Sequence, residues 1–412
     1  MKITPVKGTN DYLPAQAELR DYLQRKICET YENCGFQRIF TPILEDIENL
    51  DKSEGGDNLN LIFKVMKRGD KLKKAIDAGD ADKIADMGLR YDLTLPLSRY
   101  YANNRASLPQ PFKVIQIDKV YRAERPQKGR LREFMQCDID ILGSDSPSCE
   151  IELMHTTAKA LLGIGIDQFK IKVNDRRILK EILLSAGFEE SQLDSVCITF
   201  DKLNKIQAAG VEAELTEKGF DPAVIANFMK MIENAPFTLE YVKTICKNTE
   251  YIDTLTMIIN TSNALAEGRY SVEYDMTLVR GQGYYTGTVF EIESLDFGSS
   301  IAGGGRYDNL IGKFVKEQIP AVGFSIGFER IFSILMDRKN ALADKPKKIV
   351  LLYDEAEIKS AIERAEELRV DYTVALFVKP KKLGKFLNKL EEQGYDGFQV
   401  LGKDEEVRFF SE

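Results

Sequence analysis

The sequence predicts an α+β fold, and three observations carry that expectation. Strand-like runs gather between Leu89 and Leu142 and return from Tyr274 onward. Between these sheet-forming halves, from Gly187 to about Ala266, the chain is rich in short helical patterns such as Pro222-Ala-Val-Ile-Ala-Asn-Phe-Met-Lys-Met-Ile. Beyond Lys345-Pro-Lys-Lys, which has the composition of a linker, strand and helix patterns alternate. The expected organisation is a large domain over 1–335 with a helical subdomain inserted at about 188–266, then a small α/β domain over 346–412. A chain of 412 residues, 43% hydrophobic and 30% charged, is too long for one ordinary core, so several domains are expected on size alone.

In chain order, Leu19, Leu23, Ile27 and Tyr31 recur every four residues, which predicts an amphipathic helix over 16–34 that stops at Gly35. Phe36-Gln-Arg-Ile-Phe-Thr-Pro-Ile-Leu reads as a strand. Pro42 cannot donate to a ladder, so this strand belongs at an edge or an interface. Residues 54–87, charged and glycine-containing, read as an inserted hairpin or short-helix region. Strands are expected at Leu89–Leu95, Phe112–Arg122 and Phe134–Leu142. In the last, Met135, Cys137, Ile139 and Ile141 share one face, while Gln136, Asp138 and Asp140 share the other. A row of acids and an amide within a sheet is costly unless it lines a polar cavity. Arg90, Asp92 and Thr94 share a parity on the first strand, so both faces are expected to wall a ligand site. Helices follow at 148–164 and 174–187, strands at Tyr274–Arg280 and Thr286–Glu293, a Gly-rich loop at Ala302-Gly-Gly-Gly-Arg-Tyr, and a strand running into a helix at Pro320–Arg330. The last domain reads as strand 349–353, helix 355–369, strand 372–377, helix 381–393 and strand 397–401.

Composition removes several chemistries. Cys28, Cys34, Cys137, Cys149, Cys197 and Cys246 are scattered with no CxxC pair, which argues against a disulfide framework or a zinc knuckle. His155 is the sole histidine, so a multi-histidine metal site is impossible; it sits in a helical pattern as a packing residue. No apolar run is long enough to cross a bilayer, and the N-terminus lacks the apolar core of a signal peptide. A cytoplasmic protein without a membrane partner is expected. The formal net charge of −8 argues against indiscriminate nucleic-acid binding but leaves room for two local basic stretches, Lys119–Arg132 and Lys379–Lys389. Arginine, lysine, carboxylates and amides must therefore do the chemistry.

Three segments concentrate such groups. Val120-Tyr-Arg-Ala-Glu-Arg-Pro-Gln-Lys-Gly-Arg joins two strands through a loop dense in guanidinium groups, the planar forks suited to phosphate, with Phe134 at its far end as an apolar face for a nucleotide ring. Leu278-Val-Arg-Gly-Gln-Gly-Tyr-Tyr sets one arginine before glycines and paired tyrosines, which suits a small polar ligand. Gly303-Gly-Gly-Arg-Tyr-Asp with Gly327-Phe-Glu-Arg is the third, and it is neither a GxGxxG fingerprint nor a Walker loop.

In this order the segments resemble the class II aminoacyl-tRNA synthetases, and within them the histidyl-tRNA synthetase family, over most of the chain. Val6-Lys-Gly-Thr-Asn-Asp-Tyr-Leu-Pro is similar to that family's N-terminal signature. Gly35-Phe-Gln-Arg-Ile-Phe-Thr-Pro resembles motif 1, the dimer strand; Tyr121–Arg130 with Phe134 resembles motif 2; Gly327-Phe-Glu-Arg resembles motif 3. The segments around Arg280 and Ala302 resemble the two histidine-specific stretches. The resemblance implies a class II antiparallel sheet flanked by helices and a short anticodon-binding-like C-terminal domain. It implies ATP-dependent activation of histidine as histidyl-adenylate and transfer to the 3′ end of tRNA(His), with Mg²⁺ carried by ATP, in a homodimer. Residue by residue, it implies that Arg122, Glu124 and Arg330 hold ATP with Phe134 stacked on adenine. Asp92, Thr94 and Gln136 would bind the amino group of histidine. Asp140 and Tyr285 would hold the imidazole beneath Tyr307. Arg280, with Arg122, would act at the α-phosphate, and Arg125 and Gln127 would meet the tRNA acceptor end.

Such a reaction joins two anions, the amino-acid carboxylate and the α-phosphate, so fixed cations matter most and no protein nucleophile is needed. The chain departs from the family where Gln282-Gly283 replaces Leu-Asp before the tyrosines, and where Asp92 and Asp140 stand at positions that are Glu in some members. Two rival expectations are a non-catalytic synthetase-like regulatory subunit of ATP phosphoribosyltransferase and a class II synthetase for another amino acid. The first has no use for Arg125-Pro-Gln-Lys; the second does not need the Arg280, Tyr285 and Tyr307 set.

Overall fold

A computed structural model describes residues 3–51, 60–126, 130–200, 202–233, 238–279, 284–336 and 346–410. Its strands in chain order are β1 (Gln37–Arg38), β2 (Leu44–Asp46), β3 (Lys64–Met66), β4 (Ala85–Leu89), β5 (Phe112–Tyr121), β6 (Glu133–Leu142), β7 (Phe169–Asp175), β8 (Ser271–Tyr274), β9 (Thr288–Ser294), β10 (Ser299–Arg306), β11 (Ala321–Gly327), β12 (Lys348–Tyr353), β13 (Thr373–Val378), β14 (Gly397–Val400) and β15 (Arg408–Phe409). Eight of them form one sheet in the order β1-β5-β6-β11-β10-β9-β7-β8. The six central strands run antiparallel to their neighbours, while the outer pairs β1·β5 and β7·β8 are parallel. The expected α+β class is what the chain adopts.

The period-two argument holds for β6. Cys137, Ile139 and Ile141 are fully buried on one face, and helices Ser148–Gly163 and Glu250–Ala266 cover that side of the sheet. Pro42 lies between β1 at the edge of the large sheet and β2 at the edge of a three-stranded sheet ordered β2-β4-β3, consistent with its missing donor. Residues 60–89 contribute β3, helix Gly69–Asp77 and β4.

Four expectations change. Leu89–Leu95 is not a strand: β4 ends at Leu89, and a helix starts at Thr94. Asp92 occupies the intervening turn, where its carboxylate accepts from the Leu95 N–H at 3.1 Å, and Pro96 falls in the first helical turn, where no donor is lost. Asp92 and Thr94 therefore reach the site through a strand–turn–helix and not through a strand face. Arg90 leaves the site altogether. It is fully buried, donates to the carbonyls of Lys119 and Thr41 at 2.8 Å each, and pairs with Asp118 at 2.8 Å.

The Ala302–Tyr307 stretch is not a loop but most of β10, in the middle of the sheet. A Cβ on Gly304 would stand 2.0 Å from the Gly323 carbonyl oxygen, and one on Gly305 would stand 2.7 Å from that of Thr288. Close approach of neighbouring strands, and not turn geometry, is what demands glycine there. β7 was unforeseen: Phe169–Asp175 is a strand, and the helix expected from 174 starts at Arg176, with Asp175 accepting from the Arg177 N–H at 2.8 Å. Finally, β8 covers Ser271–Tyr274 instead of Tyr274–Arg280. The chain then follows a bonded path beside β7, with Asn174 Nδ2 donating to the carbonyls of Met276 (3.2 Å) and Leu278 (2.9 Å).

Residues 193–266 supply helices Leu193–Phe200, Leu203–Glu217, Pro222–Glu233, Leu239–Ile245 and Glu250–Ala266. The C-terminal segment forms a unit of its own with a sheet ordered β13-β12-β14-β15. Within β12, Ile349 and Leu351 face Ala361, Ala365 and Leu368 of helix Ile358–Leu368, whereas Val350 and Leu352 face Leu390 of helix Leu383–Glu392. A parallel strand covered on both faces explains the unbroken apolar run Ile349-Val-Leu-Leu. Among the described residues, no helix is long and apolar enough to cross a membrane.

Candidate active site

A cavity of about 420 Å³ opens over the polar face of β6 and the glycines of β10 and β11. Gln136, Asp138 and Asp140 project from β6, opposite Gly327, Ser325 and Gly323 of β11 in the ladder. The two glycines leave the space that the polar side chains occupy: a Cβ on Gly323 would lie 1.8 Å from Asp140 Oδ1. Asp92 and Thr94 enter from the turn before helix Thr94–Asn104, and Tyr284, Tyr285 and Tyr307 close another wall.

Tyr307 is fully buried and donates its hydroxyl to Asp140 Oδ1 at 2.6 Å. The Asp140 carboxyl is raised to about 7, chiefly by burial, with the Tyr307 hydrogen bond working against the rise and the Asp92 charge adding to it. Burial also raises Asp92, against the Leu95 N–H and the Arg122 charge, which favour its ionised form. Asp138 is driven well above the carboxylate range by burial and then by the charge of Asp140. Three acids crowded into one desolvated wall make a site that gains from a cation. The phenol and carboxylate of the Tyr307–Asp140 pair can hold a ligand that both donates and accepts hydrogen bonds.

A second group of residues lines the same cavity: Arg122, Glu124, Arg130, Phe134 and Arg330. The Arg122 guanidinium stands 4.3 Å from the Tyr91 ring centre and 5.0 Å from that of Phe134, and it donates through Nε to the Tyr91 carbonyl at 3.3 Å. The rings hold the cation in place while leaving its other donors for an anion. Arg330 donates to the Ser300 carbonyl of β10. It follows Glu329, whose carboxylate takes a bidentate pair from Arg20 at 2.6 and 2.7 Å, the Met135 N–H at 3.2 Å and the Tyr12 hydroxyl at 3.3 Å. Glu329 thus clamps the start of helix Phe328–Met336 to β6 and to the N-terminal segment. Behind β10, buried Arg306 pairs with buried Glu150 at 2.6 and 2.7 Å, which anchors the residue preceding Tyr307.

Ten of the expected site residues therefore share one cavity: Asp92, Thr94, Arg122, Glu124, Phe134, Gln136, Asp140, Tyr285, Tyr307 and Arg330. Arg125 is exposed and does not line it. Arg280 and Gln127, with Gln282-Gly283, lie outside the described residues. Residue-by-residue reading did not assign site roles to Arg130, Tyr284, Glu291, Ser300, Ser325 or Glu329, all on the wall. The parity of Ser325 with Gly323 and Gly327 was a usable signal, but only the register of β11 against β6 makes it one. His155 sits on helix Ser148–Gly163, away from this wall, and its pKa is lowered by burial. All six cysteines are free, and no cluster of three or more His, Cys, Asp or Glu suited to a metal occurs among the described residues.

Comparison with known proteins bears on this geometry. The family model described as histidyl-tRNA synthetase matches residues 8–331. The histidine–tRNA ligase of Leifsonia xyli subsp. xyli is 40% identical, over 98% of this chain and 96% of that protein. That of Cytophaga hutchinsonii is 34% identical, over 97% and 92%. Among solved structures, histidyl-tRNA synthetase from Nostoc sp. PCC 7120 superposes with a TM-score of 0.78 at 26% identity, covering 97% of this chain and 91% of that one. A Bacillus halodurans protein described as an ATP phosphoribosyltransferase regulatory subunit/histidyl-tRNA synthetase shares the fold, with a TM-score of 0.77 at 20% identity and 97% coverage of each chain. With a family model matching residues 8–331, relatives matching nearly the whole chain, and ten of the expected residues in one cavity, the chain belongs to the histidyl-tRNA synthetase family.

Proposed function

We propose that this chain activates histidine with ATP, forming histidyl-adenylate, and transfers the histidyl group to the 3′ end of tRNA(His). The observation that carries the proposal is one cavity holding both halves of the reaction: the buried Tyr307–Asp140 pair with Asp92 and Gln136 on one hand, Arg122, Phe134 and Arg330 on the other. Asp92, Thr94 and Gln136 bind the ammonium group, and Asp140 and Tyr285 meet the imidazole under Tyr307. Phe134 stacks on adenine, while Arg122, Glu124 and Arg330 hold the rest of ATP. A carboxylate oxygen of histidine attacks the α-phosphorus, the bond to the β-phosphate oxygen breaks, and pyrophosphate leaves. Arg122 and Arg280 offset the negative charge that accumulates at the α-phosphate. A ribose hydroxyl of tRNA then attacks the adenylate carbonyl, the bond to the phosphate oxygen breaks, and AMP departs with the hydroxyl proton on its phosphate. Arg125 and Gln127 steer the acceptor end.

Glu124 and Glu291 are wall carboxylates of the hard-oxygen type that would hold the Mg²⁺ carried by ATP, alongside phosphates and water. When bound, it neutralises charge on the β- and γ-phosphates. A site that hydrogen-bonds imidazole rejects apolar amino acids by a factor on the order of 10⁴.

The decisive assay is amino-acid-dependent exchange of pyrophosphate into ATP, run across all amino acids. Exchange with histidine alone is expected. Absence of exchange with any amino acid would overturn the proposal in favour of a regulatory subunit. A homodimer joined near motif 1 completes the proposal: Phe40 (70% exposed), Leu44 (48%), Met66 (62%) and Met87 (38%) leave apolar surface around the three-stranded sheet.

A further inference from the structure

Two buried acceptor atoms on the cavity wall meet no hydrogen-bond partner among the described residues, Gln136 Oε1 and Asp138 Oδ1. They sit two residues apart on β6 and so project from one face. Ser325 lies opposite Asp138 in the β6–β11 ladder and joins them. Gln136 Nε2 donates to Ser325 Oγ at 2.8 Å, which fixes Oε1 as the free end of the amide. A serine hydroxyl has one proton, and Ser325, having accepted from Gln136, keeps that proton on the side of the wall where Asp138 lies opposite it. Gln136 is thereby tied to Ser325 through its amide nitrogen, while Gln136 Oε1 and Asp138 Oδ1 remain without partners among the described residues.

An unmet buried acceptor loses its hydration without compensation, so a pair on a cavity wall calls for a ligand with several donors. The neighbouring carboxylate of Asp92 adds negative potential, and Arg122 is the cation whose charge opposes it. A primary ammonium has three N–H donors and a full positive charge, whereas neutral imidazole has one N–H. Asp140 is already engaged by Tyr307, which separates it from this group.

We propose that Asp138 is a substrate-binding residue for the ammonium group of the amino acid, and that Ser325 is the positioning residue that presents Gln136 and Asp138 to it as acceptors. This rests on the histidine-activating reading of the cavity. Neither residue belongs to the set that the family resemblance assigns.

The test uses the full chain and two histidine analogues as inhibitors of exchange. Histidinol keeps ammonium and imidazole; imidazolepropionate keeps imidazole and carboxylate. Asp138→Asn should raise the histidine KM and the histidinol Ki by about tenfold, as for loss of one charge-assisted hydrogen bond. The imidazolepropionate Ki and the ATP KM should stay within about twofold. Ser325→Ala should weaken histidinol in the same selective way, with Ser325→Thr restoring it, and these two variants carry the test if Asp138→Asn does not fold. Unchanged histidinol binding, or equal weakening of both analogues, overturns the assignment. An active wild-type enzyme with an indifferent Asp138→Asn variant removes only this inference, whereas a wild-type protein without histidine-dependent exchange removes the reading beneath it.

Discussion

At the scale of single residues, Asp140 is a carboxylate held far above its ordinary range by burial. Burial raises it from 3.8 to about 7 in the folded chain. The native state therefore holds a proton between about pH 4 and pH 7 that the unfolded chain has released, so this group's contribution to stability declines as pH rises through that window. Asparagine keeps an oxygen to accept from Tyr307 but cannot titrate. The melting temperature of wild type minus that of Asp140→Asn should fall from pH 4.5 to pH 7.5 and level off above; a flat or rising difference would contradict the assignment. Arg280 belongs to the same scale. Arg280→Ala should reduce the rate of histidine activation far more than it weakens ATP binding, because the proposed contact strengthens as charge builds at the α-phosphate. Single-turnover kinetics check this, and equal losses would remove Arg280 from that role.

Elements hold these residues in place through a few buried ties. The Arg20–Glu329 pair connects helix Pro14–Asn33 to the start of helix Phe328–Met336, with side chains only 9% and 13% exposed. Arg20→Ala leaves Glu329 largely desolvated and without its cation, so a loss of about 3 kcal/mol is expected in denaturant unfolding. It should also raise the ATP KM, because Arg330 follows Glu329 on the helix. A stability loss with an unaltered ATP KM would mean that the clamp does not position Arg330. The glycines of β10 and β11 act at the same scale by omission. Gly323→Ala puts a methyl where Asp140 now lies. It should raise the histidine KM at least tenfold while changing the ATP KM little; a matching rise in both would show that the whole sheet had shifted.

Over the whole molecule, the large unit carries the cavity, and the C-terminal unit is a separate α/β sandwich. Its Lys379–Lys389 stretch contains Lys381, Lys382 and Lys385, and Lys379 is paired at 3.5 Å with Asp354. These lysines can contact a phosphate backbone. Ending the chain at residue 345 should therefore spare histidine-dependent exchange and weaken tRNA charging; unaffected charging would free this unit from a role in tRNA binding. For the proposed dimer, Phe40→Glu with Leu44→Glu should shift sedimentation from dimer to monomer, and unchanged sedimentation would place any dimer contact elsewhere.

Much of this was legible in the chain itself, because the signals were local. The alternation along β6 announced a polar wall, the order of the motifs carried the family resemblance, and one histidine with scattered cysteines argued against whole chemistries. Asp92 and Thr94 do line the cavity, but not through strand parity, since they lie in a capped turn and at the start of a helix. The Gly303-Gly-Gly run looked like a loop because glycine has no pattern of its own; only the 2.0 Å from a Cβ on Gly304 to a neighbouring carbonyl explains it. Residue type and spacing by themselves pointed to the fold class, and the resemblance of the motifs pointed to the family and to ten of the residues that line the cavity. The tertiary structure alone decided that Arg90 is a buried tie, that Glu329 is a clamp, and that Ser325 faces Asp138. Those facts depend on strand register and on contacts between residues 189 and 309 positions apart in sequence, which no local periodicity encodes.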